Sequence, residues 1–197
     1  MIIGLGHRAR SGKDTVADYL VEHYGFKKTF FAERLKDACR IIFNLNDEQL
    51  YGELKETPDK FWNDTPRRIQ QLVGTECMRR GYADDVWVRG VKLTMEMSPH
   101  PDWVISDVRF PNEGKAIKSW GGNVIKVNRP SLPPIARMEP KWWQKLVGME
   151  GPMHASESSM LNYRDWDFTL QNDGTLEELY AKVDELMKEL GREKRTS

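Results

Sequence analysis

The stretch Met1-Ile2-Ile3-Gly4-Leu5-Gly6-His7-Arg8-Ala9-Arg10-Ser11-Gly12-Lys13-Asp14-Thr15 decides how this chain folds. Its first five residues read as a short buried strand. Gly6 to Thr15 then read as a loop that cradles a polyphosphate and opens a helix. Such an anion needs convergent backbone N–H groups, a positive helix end and a mobile cation. Gly12 lets the backbone approach closely, Lys13 supplies the point charge, and a helix from Asp14 supplies its N-terminal dipole. Strand, loop and helix in this order are the context that a Walker A motif requires.

The match to G-x-x-x-x-G-K-[ST] has two departures. The pattern puts glycine at position 7, where this chain has His7; Gly6 comes one place early. The hydroxyl slot after the lysine holds Asp14, and the hydroxyl follows as Thr15. Loops reading Gly-Lys-x-Thr occur among small nucleotide kinases, so Thr15 is the candidate for the metal side.

At 197 residues the chain suits one compact domain with an insertion. Lysine and arginine total 30 against 30 aspartate and glutamate, so no basic face is on offer for duplex DNA. Cys39 and Cys77 both fall in helix-like segments, which predicts buried thiols in a reducing compartment and no disulfide scaffold. No charged-then-apolar leader and no long apolar run is present, so a soluble, cytoplasmic protein is expected, without membrane contact.

Outward from the loop, Val16, Leu20, Val21 and Tyr24 share one side of a helix over about 13–24, stopped by Gly25. Thr29-Phe30-Phe31-Ala32 reads as a strand or its end, and Leu35 to Phe43 recur at helical spacing. From Leu45 to Asp64 the pattern breaks into an acidic excursion long enough to be functional. Thr65 caps and Pro66 opens the next helix. Down it Arg67, Gln71 and Thr75 at i, i+4 and i+8 form a polar stripe suited to a ligand with a phosphate at one end and a base at the other. Trp87, in a further helix from Val86, is a candidate wall of that site.

Trp103-Val104-Ile105-Ser106 is a second buried strand, running into Asp107-Val108-Arg109. An acidic residue at the end of such a strand lies near a phosphate loop and can hold a metal's water, which suits Asp107; Arg109 suits a substrate phosphate. A helix from Pro111 and a strand over Val124 to Val127 follow. Residues 131–152 are proline-rich, basic and aromatic, the composition of a lid or an interaction arm. Arg129 or Arg137 could neutralise a transferring phosphoryl group there, Trp142-Trp143 could equally be a dimer contact, and His154 is a phosphate donor or a hinge residue. Trp166 to Leu170 reads as the last strand, and Thr175-x-x-Glu178 as the capping box of an amphipathic helix through Leu190.

Taken together these segments resemble the deoxynucleoside monophosphate kinases of phages. The resemblance rests on Arg10 to Thr15 with Ala17-Asp18, Phe31 to Lys36, Pro66-Arg67 with Gln71 to Glu76, Asp107 to Glu113, His154 to Glu157 and Asn172 to Leu176. It implies an α/β P-loop kinase fold with a parallel sheet of about five strands flanked by helices. A substrate-binding helical region would span about 45–100 and a lid about 129–155. It also implies ATP as phosphoryl donor, Mg²⁺, and a deoxynucleoside 5′-monophosphate as acceptor. By resemblance, Arg10, Ser11, Gly12, Lys13, Asp14 and Thr15 would hold the ATP phosphates, Thr15 and Asp107 the metal, directly or through water. Arg67 and Gln71 would face the monophosphate, Asp107 and Arg109 would lie between the substrates, and Asn172 would lie by the adenine. A homodimer and a host cytoplasm are further expectations. A P-loop kinase for dephospho-coenzyme A, or a nucleotide-binding module without catalysis, are the alternative readings.

Overall fold

The computed structural model describes residues 1–132 and 159–195. Two compact units divide the chain: one formed by Met1–Thr29 with the chain from Pro99 onward, the other by Phe30–Ser98.

The first unit is built on a five-stranded sheet, every pair of which is parallel. Its strands are β1 (Ile2–Gly6), β2 (Lys27–Thr29), β3 (Trp103–Val108), β4 (Asn123–Asn128) and β5 (Phe168–Gln171), in the order β2-β3-β1-β4-β5. Its helices are α1 (Lys13–Tyr24), α6 (Pro111–Ser119) and α7 (Leu176–Glu189). Ile3 and Leu5 of β1, Val104, Ile125, Val127 and Leu170 form one core with Val16, Ala17 and Leu20 of α1 and Leu179, Val183 and Met187 of α7. Parallel strands buried on both faces read as near-continuous apolar runs, which is why β1 and β3 stand out in the sequence.

On the other face the two glycines of β1 set how closely neighbours approach. A Cβ on Gly4 would lie 2.3 Å from Ile117 Cδ1 of α6, and one on Gly6 2.8 Å from the Trp166 ring. Glu113, only 2% exposed, fixes the turn from β3 into α6 by accepting the backbone N–H groups of Arg109 (2.6 Å) and Phe110 (3.0 Å). The strand order turns back at β1: the chain leaves it outward through α1 to β2, then crosses from β3 over to β4. Such a switch point opens a crevice at the carboxyl ends of the central strands.

The second unit is helical: α2 (Glu33–Phe43), the short α3 (Asp47–Leu50), a tight turn over Glu53–Glu56, α4 (Pro66–Gln71) and α5 (Val86–Met97). Three expectations are corrected here. The strand or strand end read over 29–32 is the end of one at Thr29 alone: the strand is Lys27–Thr29, where the backbone pairs with Trp103 to Ile105. The helix opened by Thr65 and Pro66 forms as read, with Thr65 accepting from Arg68 N–H, but from Leu72 to Arg80 it widens into a π-helix. The stripe Arg67–Gln71–Thr75 assumed α-helical spacing throughout, and Thr75 is buried, 7% exposed. Gly74 lies in the widened segment, and its carbonyl accepts the Trp87 indole N–H at 2.9 Å. Cys39 is buried as expected, whereas Cys77 is exposed.

Replacing Gly4 with alanine should destabilise the protein by about 1–3 kcal/mol, because the methyl must push α6 off the sheet. Denaturant unfolding of Gly4→Ala measures it; unchanged stability would show that Ile117 simply rotates away.

Candidate active site

The candidate phosphate loop, residues 7–12, joins the carboxyl end of β1 to α1. Three of its residues take left-handed backbone: His7 (φ 108°), Arg10 (φ 61°) and Gly12 (φ 99°). Alternating hands of this kind turn successive N–H groups inward and make an anion-binding concavity. His7 thus has glycine's backbone at the position where the motif has glycine, at a cost of about 1–3 kcal/mol for a side-chain-bearing residue. Gly12 has a second reason to be glycine: a Cβ there would lie 2.4 Å from Asn172 Nδ2. That same Nδ2 donates to Ser11 O at 3.0 Å, so Asn172, read as an adenine neighbour, braces the loop from the turn after β5.

Lys13 Nζ donates to Arg8 O at 2.6 Å, closing the loop on itself. Desolvation first, then the Arg109 guanidinium, push the Lys13 ammonium down to about 8, against the pull of Asp14 and Asp107. Arg109, Asp14 and Asp107, which the sequence placed near the phosphates, therefore all act on Lys13 at the carboxyl edge of the sheet. Asp107 is 9% exposed in β3, and Arg109 is exposed just beyond it. Desolvation raises the Asp14 carboxyl, but the hydrogen bond from Ser106 and the Lys28 charge outweigh it and hold the group below the usual range. Ser106 Oγ donates to Asp14 Oδ1 at 2.7 Å, and Lys28 Nζ lies 3.2 Å from the same oxygen and 2.8 Å from Asp18. This triad pins the start of α1 to β2 and β3. Ser106, Lys28 and Glu113 were missed by sequence reasoning; Ser106 ends an apolar run one place before Asp107, which is a usable signal.

His7 is packed edge-on against Trp166, ring centroids 6.4 Å apart, and its buried Nδ1 has no hydrogen-bond partner. Burial, then the charges of Lys126, Arg8 and Lys13, push its imidazole down to about 4, against the Val127 carbonyl, which raises it. Ser11 Oγ is likewise buried and unpartnered.

The donor set suits Mg²⁺. Thr15, Asp14 and Asp107 offer oxygen only, and no cluster of three or more His, Cys, Asp or Glu side chains occurs among the described residues. A cation held by one or two carboxylates together with substrate phosphates needs no such cluster.

In the second unit Arg67 pairs with Glu56, and Arg68 with Asp64. Gln71 is half-buried, Thr75 and Trp87 are buried, and the Trp87 indole N–H is committed to Gly74. Arg129 is exposed just after β4. Arg137, His154, the Trp142-Trp143 pair and most of the expected lid lie outside the described residues. No helix among the described residues is long and apolar enough to cross a membrane.

A protein of Acanthamoeba polyphaga mimivirus assigned as a deoxynucleotide monophosphate kinase is 37% identical over 201 residues, covering 93% of this chain and 94% of its own. The chain belongs to the deoxynucleotide monophosphate kinase family. The deoxynucleotide monophosphate kinase of Enterobacteria phage T4 is 29% identical over 127 residues, 63% of this chain and 46% of that one. Dephospho-CoA kinase from Campylobacter jejuni aligns over 96% of both chains at 12% identity and a TM-score of 0.49. No protein-family model matches the chain. The family's kinase assignment agrees with the strand–loop–helix at β1, the parallel sheet and the flanking helices, which together are the P-loop kinase fold.

Two outcomes follow for this site. Affinity for sulfate, whose charge is constant over this range, should fall as pH rises through about 8, where Lys13 loses its proton, and the residual binding of Lys13→Met should lack that step; calorimetric titration at pH 7 and 9.5 checks both. Asn172→Ala should raise the KM for ATP several-fold with little change in Tm, since it removes the loop's brace and no core contact; steady-state kinetics with a thermal melt decides it.

Proposed function

We propose that this protein transfers the γ-phosphoryl group of ATP to a deoxynucleoside 5′-monophosphate, releasing ADP and the diphosphate. The observation that carries the reading is the 37% identity to the mimivirus kinase over nearly the whole of both chains, with Lys13 held in a left-handed loop as a polyphosphate needs.

Phosphoryl transfer asks little covalent chemistry of a protein; it asks for alignment, charge neutralisation and exclusion of water. The loop N–H groups from Arg10 to Thr15 cradle the ATP phosphates. Lys13 leaves the Arg8 carbonyl for the β- and γ-oxygens, and the incoming negative charge restores its proton affinity. Thr15 and Asp107 would hold Mg²⁺, directly or through water. The ion, when bound, neutralises charge on the β- and γ-phosphates. Arg109 offers a second positive charge to the transferring group. The acceptor oxygen is already ionised, so no strong general base is required, and Asp107 serves as an organiser rather than a base. Arg67, with Gln71 beside it, takes the acceptor's phosphate; Trp87 acts as wall, with its N–H already engaged. Arg129 or Arg137 is the candidate lid arginine. The protein works in the cytoplasm, that of the host cell if it is phage-encoded, and its partners are these two nucleotides.

The test is ADP release with ATP, Mg²⁺ and each deoxynucleoside monophosphate in turn, with dephospho-coenzyme A as a further acceptor. Release dependent on deoxynucleotides is expected, and Lys13→Ala should lower kcat about 10²- to 10³-fold. Release with dephospho-coenzyme A alone would replace the acceptor; ATP binding without any acceptor-dependent release would make the protein a nucleotide-binding module.

A further inference from the structure

The acidic excursion between α3 and α4 carries several carboxylates that the proposed chemistry does not use, and one of them meets a residue that it does. Glu56, at the end of the turn Glu53–Glu56, is ion-paired with Arg67. Arg67 is the guanidinium to which the proposed function gives the acceptor's phosphate. A carboxylate and a phosphate compete for the same planar fork of N–H donors.

The loop behind Glu56 is tied down at several points. Asp59 Oδ1 accepts the backbone N–H groups of Phe61 (2.9 Å) and Trp62 (3.1 Å), and Asp59 Oδ2 accepts from Gln49 Nε2 (2.9 Å). Asp59 N–H donates to Asp64 O at 2.9 Å, and Trp62 Nε1 donates to Phe43 O at 2.8 Å. These bonds fix the chain on both sides of the excursion to α2, α3 and the start of α4. Glu56 is therefore presented to Arg67 by an ordered loop and not by a wandering tail.

Both partners keep solvent access, Arg67 at 41% and Glu56 at 64% of the side chain. An exposed pair of this kind is weak and exchangeable. We infer that Glu56 sets the threshold for acceptor binding: it occupies the Arg67 guanidinium in place of a phosphate and must be displaced by the acceptor. A phosphomonoester close to pH 7 carries nearly two charges against the carboxylate's one. Displacing Glu56 costs every anion the same factor, and the dianion, with the stronger intrinsic hold on Arg67, is the ligand best able to meet it. Glu56 raises the KM for the acceptor slightly and in return keeps weaker anions off Arg67. This inference rests on the proposed assignment of Arg67 to the acceptor.

The experiment is a kinetic comparison of Glu56→Gln with the parent enzyme, at saturating ATP and with the best-used of the four deoxynucleoside monophosphates. The KM for the monophosphate should fall about two- to five-fold, the range open to one exposed ion pair, with kcat unchanged. Competitive inhibition by a monoanion such as nitrate should tighten by a similar factor. Glu53→Gln removes the same charge from the same turn without touching the Arg67 pair and should leave KM where it was. Arg67→Ala should raise KM, and Glu56→Gln added to Arg67→Ala should do nothing further. Unchanged KM in Glu56→Gln, with Arg67→Ala still raising it, overturns the inference and leaves the acceptor site standing. An equal fall in Glu53→Gln also overturns it, since a diffuse charge effect would then suffice. If Arg67→Ala leaves KM unchanged, the acceptor assignment itself fails. A thermal melt of each variant guards against misfolding, and Glu56→Ala, if Glu56→Gln is unstable, is read the same way.

Discussion

One ammonium group governs the first unit. Lys13 is held at the carboxyl edge of a parallel sheet, partly desolvated, with a second cation, Arg109, acting on it. A charge in that position is unfavourable until an anion arrives, so the surrounding structure has to keep it there. The Arg8 carbonyl takes its proton donor, and the Asp14 and Asp107 carboxylates offset the repulsion. Those carboxylates are in turn placed by the fold: Asp107 by a strand buried along its whole length, Asp14 by Ser106 and Lys28. The site is preorganised for negative charge, which is the form electrostatic catalysis takes when little bond-making is asked of the protein.

The loop that carries Lys13 is kept in shape from outside as well as within. Left-handed turns at His7 and Arg10 are unfavourable for residues with side chains, and the loop is over-determined by its neighbours. Asn172 braces it from the turn after β5, and Trp166 fills the space over Gly6 while meeting the His7 ring edge-on. His7 therefore departs from the motif in side chain but not in backbone. The imidazole remains neutral because burial and three nearby cations disfavour its charge, so it adds no further repulsion beside Lys13.

In the helical unit a single carboxylate plays a comparable organising part. Asp59 gathers two backbone N–H groups and the Gln49 amide, and so turns an irregular acidic stretch into a fixed loop. The helix beyond it shows the limit of reading by periodicity. It starts where Thr65 and Pro66 say it should, then widens at Leu72, where a glycine carbonyl is drawn to an indole thirteen residues on.

Much of the architecture is local and hence legible in the chain alone. Apolar runs mark β1 and β3, Gly25 marks the end of α1, Thr65-Pro66 and Thr175-x-x-Glu178 mark helix starts, and Ser11-Gly12-Lys13 after an apolar strand marks the phosphate loop. Each of these signals works within a few residues through capping, backbone freedom or side-chain period. Asp107 and Arg109 were legible too, because a strand's last residues must emerge at its carboxyl end. The partners were not. That Asp14 meets Ser106, 92 residues away, and that Asn172 meets Ser11, 161 residues away, depends on strand order and register, which no local pattern encodes. The same holds for the π-helical turn at Gly74, whose carbonyl meets Trp87 of another helix. Local physics determined the elements and the charged loop of this protein; only the packing of distant strands and helices decided which side chains hold that loop in place.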